Sequence, residues 1–313
     1  MRNKLRTRVL GAAFLALVIG ACAPGEGPAG EGAGTTVAEG PTITVSSFAF
    51  AESEILGEIY AQALEAQGYP VETNLNLGTR EIVKPALESG EIDLILEYCG
   101  TLLTFLDEEA TPTPDSDATC AEASRRYQEA GVSLLQPAPA QDKNGFVVTR
   151  ETAEEFGLAT VSDLQPVADQ LVLGAPPECP EREHCLIGLE VVYGITEFEE
   201  FRPLEIGAIT AEALKAGEID VALLFTTDGF ISANDFVLLE DDGGLQPAEN
   251  IIPAVHSEIV EAYGDPFVSF VNSISEKITT EELTALNARV QIDQEDAATV
   301  ATDWLTENGF LGS

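Results

Sequence analysis

Basic residues are scarce in this chain: 15 Lys and Arg stand against 54 Asp and Glu, for a formal net charge of -39. The lysines, Lys4, Lys84, Lys143, Lys215 and Lys277, are spread one at a time. Binding to a phosphate backbone or an anionic lipid face needs such residues clustered, so no nucleic acid partner is expected. Histidine is almost missing too, with only His184 and His256, both in contexts that read as surface. None of the G-x-S-x-G, H-E-x-x-H, Walker A or kinase motifs occurs. These absences point away from an enzyme. The apolar content, 45% of residues, is too high for a disordered chain, and 313 residues suit two domains or lobes with ordinary cores.

The N-terminus has the layout of a secretory signal. Arg2, Lys4, Arg6 and Arg8 precede the apolar run Val9–Ala21, whose 13 residues fall short of a membrane span, which needs ~20. The run closes on Leu17-Val18-Ile19-Gly20-Ala21-Cys22, which resembles a bacterial lipobox with Cys22 as the acylated residue; an ordinary peptidase site with Cys22 unmodified is the alternative. Residues 1–21 are therefore expected to be a signal peptide. Residues 22–40 (CAPGEGPAGEGAGTTVAEG) read as the lipidated cysteine and a flexible tether. The exported, lipid-anchored body then sits at the outer face of the cytoplasmic membrane. Removing residues 1–21 takes four basic groups and no acid, leaving 11 against 54 and a net charge of -43.

Outside the cytoplasm, cysteines left in an even number are expected to pair. The four beyond Cys22 fall into local pairs, Cys99 with Cys120 and Cys179 with Cys185. Each bridge contributes on the order of 2–4 kcal/mol through loop closure. The alternative, a metal bound by Cys179, His184 and Cys185, has a partial ligand set at the wrong spacing, so neither metal nor cofactor is expected.

From Pro41 onward the pattern is alternating α/β. Strands are read at 43–45, 71–77, 93–97, 145–148, 171–173 and 221–225, and helices at 52–67, through 86–88, 186–193, 211–215, 280–290 and 295–308. Such alternation implies mainly parallel sheets covered on both faces. An internal repeat stands out: Ala86-Leu87-Glu88-Ser89-Gly90-Glu91-Ile92-Asp93 followed by an apolar strand to Tyr98 matches Ala213-Leu214-Lys215-Ala216-Gly217-Glu218-Ile219-Asp220 followed by a strand to Phe225. Ligands of open α/β sheets sit beyond the carboxyl ends of strands. Tyr98 and Phe225 would thus occupy equivalent edges of two similar lobes, lining one cleft if the lobes face each other; ordinary core aromatics are the alternative.

The segment Glu97-Tyr98-Cys99-Gly100-Thr101 resembles the EYTGT motif of substrate-binding proteins of osmoprotectant (glycine betaine, choline, carnitine) ABC importers. Ser46-Ser47-Phe48-Ala49-Phe50-Ala51-Glu52-Ser53 is similar to that family's GSKNFTEQ stretch. Leu77-Gly78-Thr79, Gln141-Asp142-Lys143-Asn144, Ile187-Gly188-Leu189 and Thr226-Thr227-Asp228 agree in order. The resemblance covers residues 42–311. It implies a type II periplasmic-binding-protein fold, two lobes with a ligand cleft between them: residues 42–142 plus 249–313 as the first lobe and 143–248 as the second. It further implies capture of a quaternary ammonium or zwitterionic solute and delivery to a membrane ABC permease complex, by a protein expected to act as a monomer. An exported ligand sensor or enzyme on the same scaffold, or a binding protein for a different small polar solute, remains the alternative.

A trimethylammonium group cannot donate hydrogen bonds, so aromatic faces bind it, at roughly 0.5–2 kcal/mol per contact. Tyr98 and Phe225 are the candidate cage rings, Phe50 is a third ring or a packing residue, and Asn144 stands where the family has a tyrosine. Ser47, Thr101, Thr226 and Thr227 could serve a solute carboxylate through hydroxyls or backbone N–H groups. Asp228 and Glu52 are carboxylates near the cleft, with a structural cap as the alternative role. The overall acidity reads as a solvated surface suited to high salt, where screening at a Debye length of about 3 Å cancels long-range attraction of cations, rather than as a steering field.

Overall fold

The computed structural model describes residues 40–311. The signal peptide, Cys22 and nearly all of the tether read from the sequence lie outside the described residues.

Two five-stranded sheets form the frame. The first has the order β2-β1-β3-β10-β4, from β1 (Ile43–Phe48), β2 (Val71–Gly78), β3 (Leu94–Tyr98), β4 (Val132–Leu134) and β10 (Ile251–His256). The second has the order β7-β6-β8-β5-β9, from β5 (Asn144–Val148), β6 (Val172–Ala175), β7 (Glu200–Pro203), β8 (Val221–Phe225) and β9 (Val237–Leu238). The two orders are the same arrangement. In each, three strands run parallel, and the fourth, which arrives from the other sheet, pairs antiparallel with the third. The sheets are thus mixed, where the sequence pattern implies mainly parallel ones. The reason is topological: a strand entering from the opposite lobe reaches the sheet at the end where its neighbours leave. The two connections lie side by side, with Gln141 and Asn250 bridged antiparallel.

Helices cover the sheets. In the first lobe α1 (Ala51–Ala66) buries Ile55, Leu56, Ile59, Ala63 and Leu64 at helical spacing, and α2 (Arg80–Glu88) buries Val83, Ala86 and Leu87. The helices α3 (Cys99–Leu106) and α4 (Ser116–Gln128) are joined by the Cys99–Cys120 disulfide, with Cα atoms 5.0 Å apart. In the second lobe α5 (Arg150–Phe156), α6 (Leu186–Tyr193), α7 (Ala208–Lys215) and α8 (Gly229–Ala233) play the corresponding parts. A second disulfide, Cys179–Cys185, closes the loop before α6 with Cα atoms 5.2 Å apart, so neither sulfur is free to ligate a metal. At the C-terminus follow α9 (Ser257–Ser275), α10 (Thr280–Gln291) and α11 (Ala297–Glu307). α11 packs on α1, whereas α10 touches both α1 and α8 and so joins the lobes.

The internal repeat corresponds to α2-β3 and α7-β8. In both copies a glycine with positive φ ends the helix, Gly90 at 71° and Gly217 at 67°, a conformation that costs an L-residue roughly 1–2 kcal/mol. No other residue lies within 4 Å of where a Gly217 Cβ would stand, so its substitution isolates the backbone effect. Gly217→Ala is expected to lower the Tm by about 2–4 °C, measured by thermal unfolding, with Gly217→Asn losing less.

Candidate functional site

β3 and β8 end on the repeat's two rings, Tyr98 and Phe225, and each ring is in register with a residue of the incoming antiparallel strand, Ile251 and Asn144 respectively. The two rings meet in a cavity of about 380 Å³, within the range of small-ligand sites. Phe48 and Phe50 complete its aromatic walls, and Arg80, Thr101 and Asp142 supply polar groups. Phe48 and Phe50 lie 6.0 Å apart and nearly parallel, and Phe50 stands 6.2 Å from Tyr98. Phe50 is 44% exposed and Phe225 43%, unusual for large rings, and both line the cavity.

Beneath the rings lies a network of buried acids. Glu52, in the first turn of α1, accepts from the Tyr98 hydroxyl at 2.6 Å and from Asn287 Nδ2 at 2.7 Å. Burial raises its pKa, and the neighbouring Asp228 adds to the rise. The Tyr98 phenol is pushed well up by burial and then by the Glu52 charge, so it stays a donor. Glu97 is paired with Arg80 at 2.8 Å, and the Arg80 guanidinium lies 5.1 Å from the centre of the Phe48 ring. Glu249 accepts from the N–H groups of Gly100 and Thr101 and from the Thr101 hydroxyl, at 3.1, 3.0 and 2.7 Å. It therefore caps α3 with a charge suited to a helix N-terminus. A Cβ at Gly100 would stand 2.8 Å from the Ala248 carbonyl and 2.9 Å from Glu249 Oε1, which is why glycine occupies that place in the motif. Asp142 has no such set of donors: its Oδ1 is buried with no hydrogen-bond partner among the described residues. Burial first, and then the Glu52 charge, hold its pKa well above the ordinary carboxylate value.

Of the residues singled out from the sequence, Tyr98, Phe225, Phe50 and Thr101 line this cavity. The others sit elsewhere. Ser47 is fully buried and its hydroxyl accepts from the Asn76 N–H at 2.7 Å. The Thr226 hydroxyl accepts from the Lys143 N–H at 3.0 Å and donates to the Gln141 carbonyl at 2.8 Å, locking the first connection to the second sheet. Thr227 is buried, and its carbonyl accepts from Asn287 Nδ2 at 2.8 Å. Asp228 caps α8, accepting from the Phe230 N–H at 3.0 Å. Asn144 lines a separate cavity of about 590 Å³ in the second lobe, together with Pro176, Arg182, His184 and Leu223. That larger space has no Phe, Tyr or Trp ring in its wall and is walled by the second lobe alone. The smaller one is where four rings and both lobes meet, and it is the candidate site. Sequence reasoning did not single out Asp142, Arg80 or Phe48. The available signal for Asp142 was its place in Gln141-Asp142-Lys143-Asn144, a polar run at the predicted crossing.

Residues 41–307 match the family described as the substrate binding domain of the ABC-type glycine betaine transport system. The chain is 28% identical over 288 residues to a glycine-betaine-binding protein of Pseudomonas aeruginosa, covering 88% of this chain and 90% of that one. It is 30% identical over 275 residues to the carnitine transport binding protein OpuCC of Listeria monocytogenes, covering 86% and 88%. Among solved structures, one of a glycine betaine/carnitine/choline ABC transporter superposes with a TM-score of 0.79 at 27% identity, covering 86% of this chain and 99% of that one. Apo YehZ from Escherichia coli gives 0.77 at 27% identity, covering 87% and 100%.

The raised pKa of Asp142 has a consequence for stability. The folded protein holds a proton there that the unfolded chain releases above the ordinary aspartate range, so this residue's contribution is favourable at low pH and is lost as pH rises toward the folded-state value. Asp142→Asn, which cannot ionise, is expected to stabilise the ligand-free protein by about 1–3 kcal/mol at neutral pH. The gain over wild type should shrink as pH falls toward 4, followed by thermal unfolding of both proteins across that range.

Proposed function

The chain belongs to the substrate-binding-domain family of ABC-type glycine betaine transport systems, and from that premise we propose that it captures a quaternary ammonium osmoprotectant between its lobes and hands it to a membrane permease. The observation that carries the reading is the cavity walled by Phe48, Phe50, Tyr98 and Phe225. Aromatic faces attract a cation that can neither donate nor accept a hydrogen bond. Two of the rings come from opposite lobes, so a bound cation holds the lobes together. Thr101 and Arg80 stand in the same wall and suit the polar end of a zwitterion, although Arg80 is already paired with Glu97.

The protein is read as a non-catalytic monomer without cofactor, its lobes formed by residues 42–142 with 249–313 and by 143–248. The two disulfides brace α3 to α4 and the loop before α6. The N-terminal signal and Cys22 would place it outside the cytoplasmic membrane on a lipid anchor. Cys22→Ser is expected to move the mature protein from the membrane fraction to the soluble fraction of the host's cells; an unchanged distribution would remove the anchor from this reading.

Glycine betaine, choline and carnitine form the test panel. A solute at 100 times its Kd stabilises the folded state by about 2.7 kcal/mol and should raise the Tm by several degrees. Phe225→Ala, an exposed position whose loss spares the core, is expected to weaken binding roughly 3- to 30-fold. If no quaternary ammonium compound shifts the Tm at millimolar concentration, the solute assignment fails, and a different small polar solute becomes the reading to test.

A further inference from the structure

The acids around the cavity are not alike. Glu97 is matched by Arg80, Glu249 by the N-terminus of α3, Glu52 by Tyr98 and Asn287, and Asp228 by the first turn of α8. Asp142 alone lines the cavity with a buried oxygen that has no partner among the described residues. Its backbone cannot swing away to find one. The Asp142 N–H donates to the Glu249 carbonyl at 3.1 Å, and Lys143 is held by Thr226 at both its N–H and its carbonyl, at 3.0 and 2.8 Å. The Lys143 side chain does not offset the charge: it lines a different cavity, with Thr280 and Glu240.

Building on the proposed function, we propose that the Asp142 side chain is the counter-charge for the solute's cationic head, and that it carries a proton in the empty site which a net-cationic solute displaces to the buffer. The Glu52 charge bears directly on Asp142, and two carboxylates crowded into one site are relieved when one of them takes a proton. Glu52 accepts from Tyr98 and Asn287, whereas Asp142 Oδ1 has no partner among the described residues, which leaves the proton to Asp142. A trimethylammonium group entering beside it cannot donate a hydrogen bond, but its charge stabilises ionised Asp142 at short range. The groups facing Asp142 are Glu52 from α1, Tyr98 from β3, Thr227 after β8 and Glu249 before β10, with Arg80 of α2 in the same cavity wall. None besides Arg80 is cationic, and Arg80 is neutralised by Glu97.

Selectivity follows from the sign of the solute's remaining charge. Choline brings one positive charge and a hydroxyl. Glycine betaine brings the same head and a carboxylate that opposes the negative cluster, so it ionises Asp142 less. Between the pKa of Asp142 in the complex and its higher value in the empty site, choline affinity rises with pH as the proton to be displaced is lost. Outside that window the profile is flat.

Calorimetric titration of the wild-type protein with choline and with glycine betaine, in phosphate and in Tris from pH 5.5 to 8.5, reads the proton directly. Choline is expected to release a fraction of a proton and to bind more tightly toward high pH, with betaine releasing less. Asp142→Asn should abolish the release, flatten the profile and weaken choline on the order of tenfold at the alkaline end, with betaine little changed. Choline binding by wild type without proton release, or an unchanged choline-to-betaine preference in Asp142→Asn, would overturn the role of Asp142 while leaving the solute class standing. Absence of binding by either solute overturns the functional reading on which it rests.

Discussion

One buried carboxylate joins the two lobes. Glu52 begins α1 of the first lobe, holds the Tyr98 hydroxyl at the end of β3, and accepts from Asn287 of α10, whose same amide nitrogen donates to the Thr227 carbonyl beyond β8 of the second lobe at 2.8 Å. Four segments distant in sequence therefore converge on a single side chain in a low-dielectric setting, where each hydrogen bond is strong and each missing one costly. The cage ring Tyr98, the floor of the cavity and the contact between α10 and α8 all take their positions from this junction.

The cavity above it is built on electrostatic contrast. Apolar rings form its walls, and a set of acids lies just beneath, each damped by a dedicated donor except Asp142. Under the proposed function, such an arrangement would hold a cation by two means: the ring quadrupoles at short range, and a partly buried carboxylate. The formal charge of -39 on the whole chain adds little to this at high ionic strength, since screening weakens exposed charges more than partly buried ones. On the proposed function, recognition of charge would then be local to the cleft.

Much of the fold was legible in the residues. The apolar spacing of 52–67 and the compact runs at 94–98 and 221–225 specify α1, β3 and β8 because each must bury a face at its own period. The internal repeat located Tyr98 and Phe225 at equivalent strand ends, and both line the cavity. Less legible were β10 and the helices α4 and α9. α4 is a polar helix of low hydrophobicity, and its packing comes through Cys120, Ala123 and Tyr127 rather than a continuous stripe. α9 runs across Gly264 and Pro266, residues that locally signal a break. The antiparallel pairing of β5 with β8 and of β10 with β3 was hidden for a different reason: strand direction is a property of the path between lobes and leaves no periodicity in the strand itself.

The candidate site divides along the same line. Sequence alone determined an acidic α/β body with a duplicated helix-strand unit, the rings that end its two matching strands, and the motif order that marks the family. These are local or repeated patterns, and side-chain chemistry with short-range periodicity is enough to write them. Which hydroxyls face a solute, by contrast, was decided only by the tertiary structure. Ser47 and Thr226 turn out to tie backbone, Asp228 caps a helix, and Asp142, one acid among 54 in the composition, becomes the one left without a partner in an aromatic cavity. A carboxylate's meaning depends on what surrounds it, and that surrounding is assembled from α1, β3, the crossing segment and α10, which no local stretch of sequence brings together.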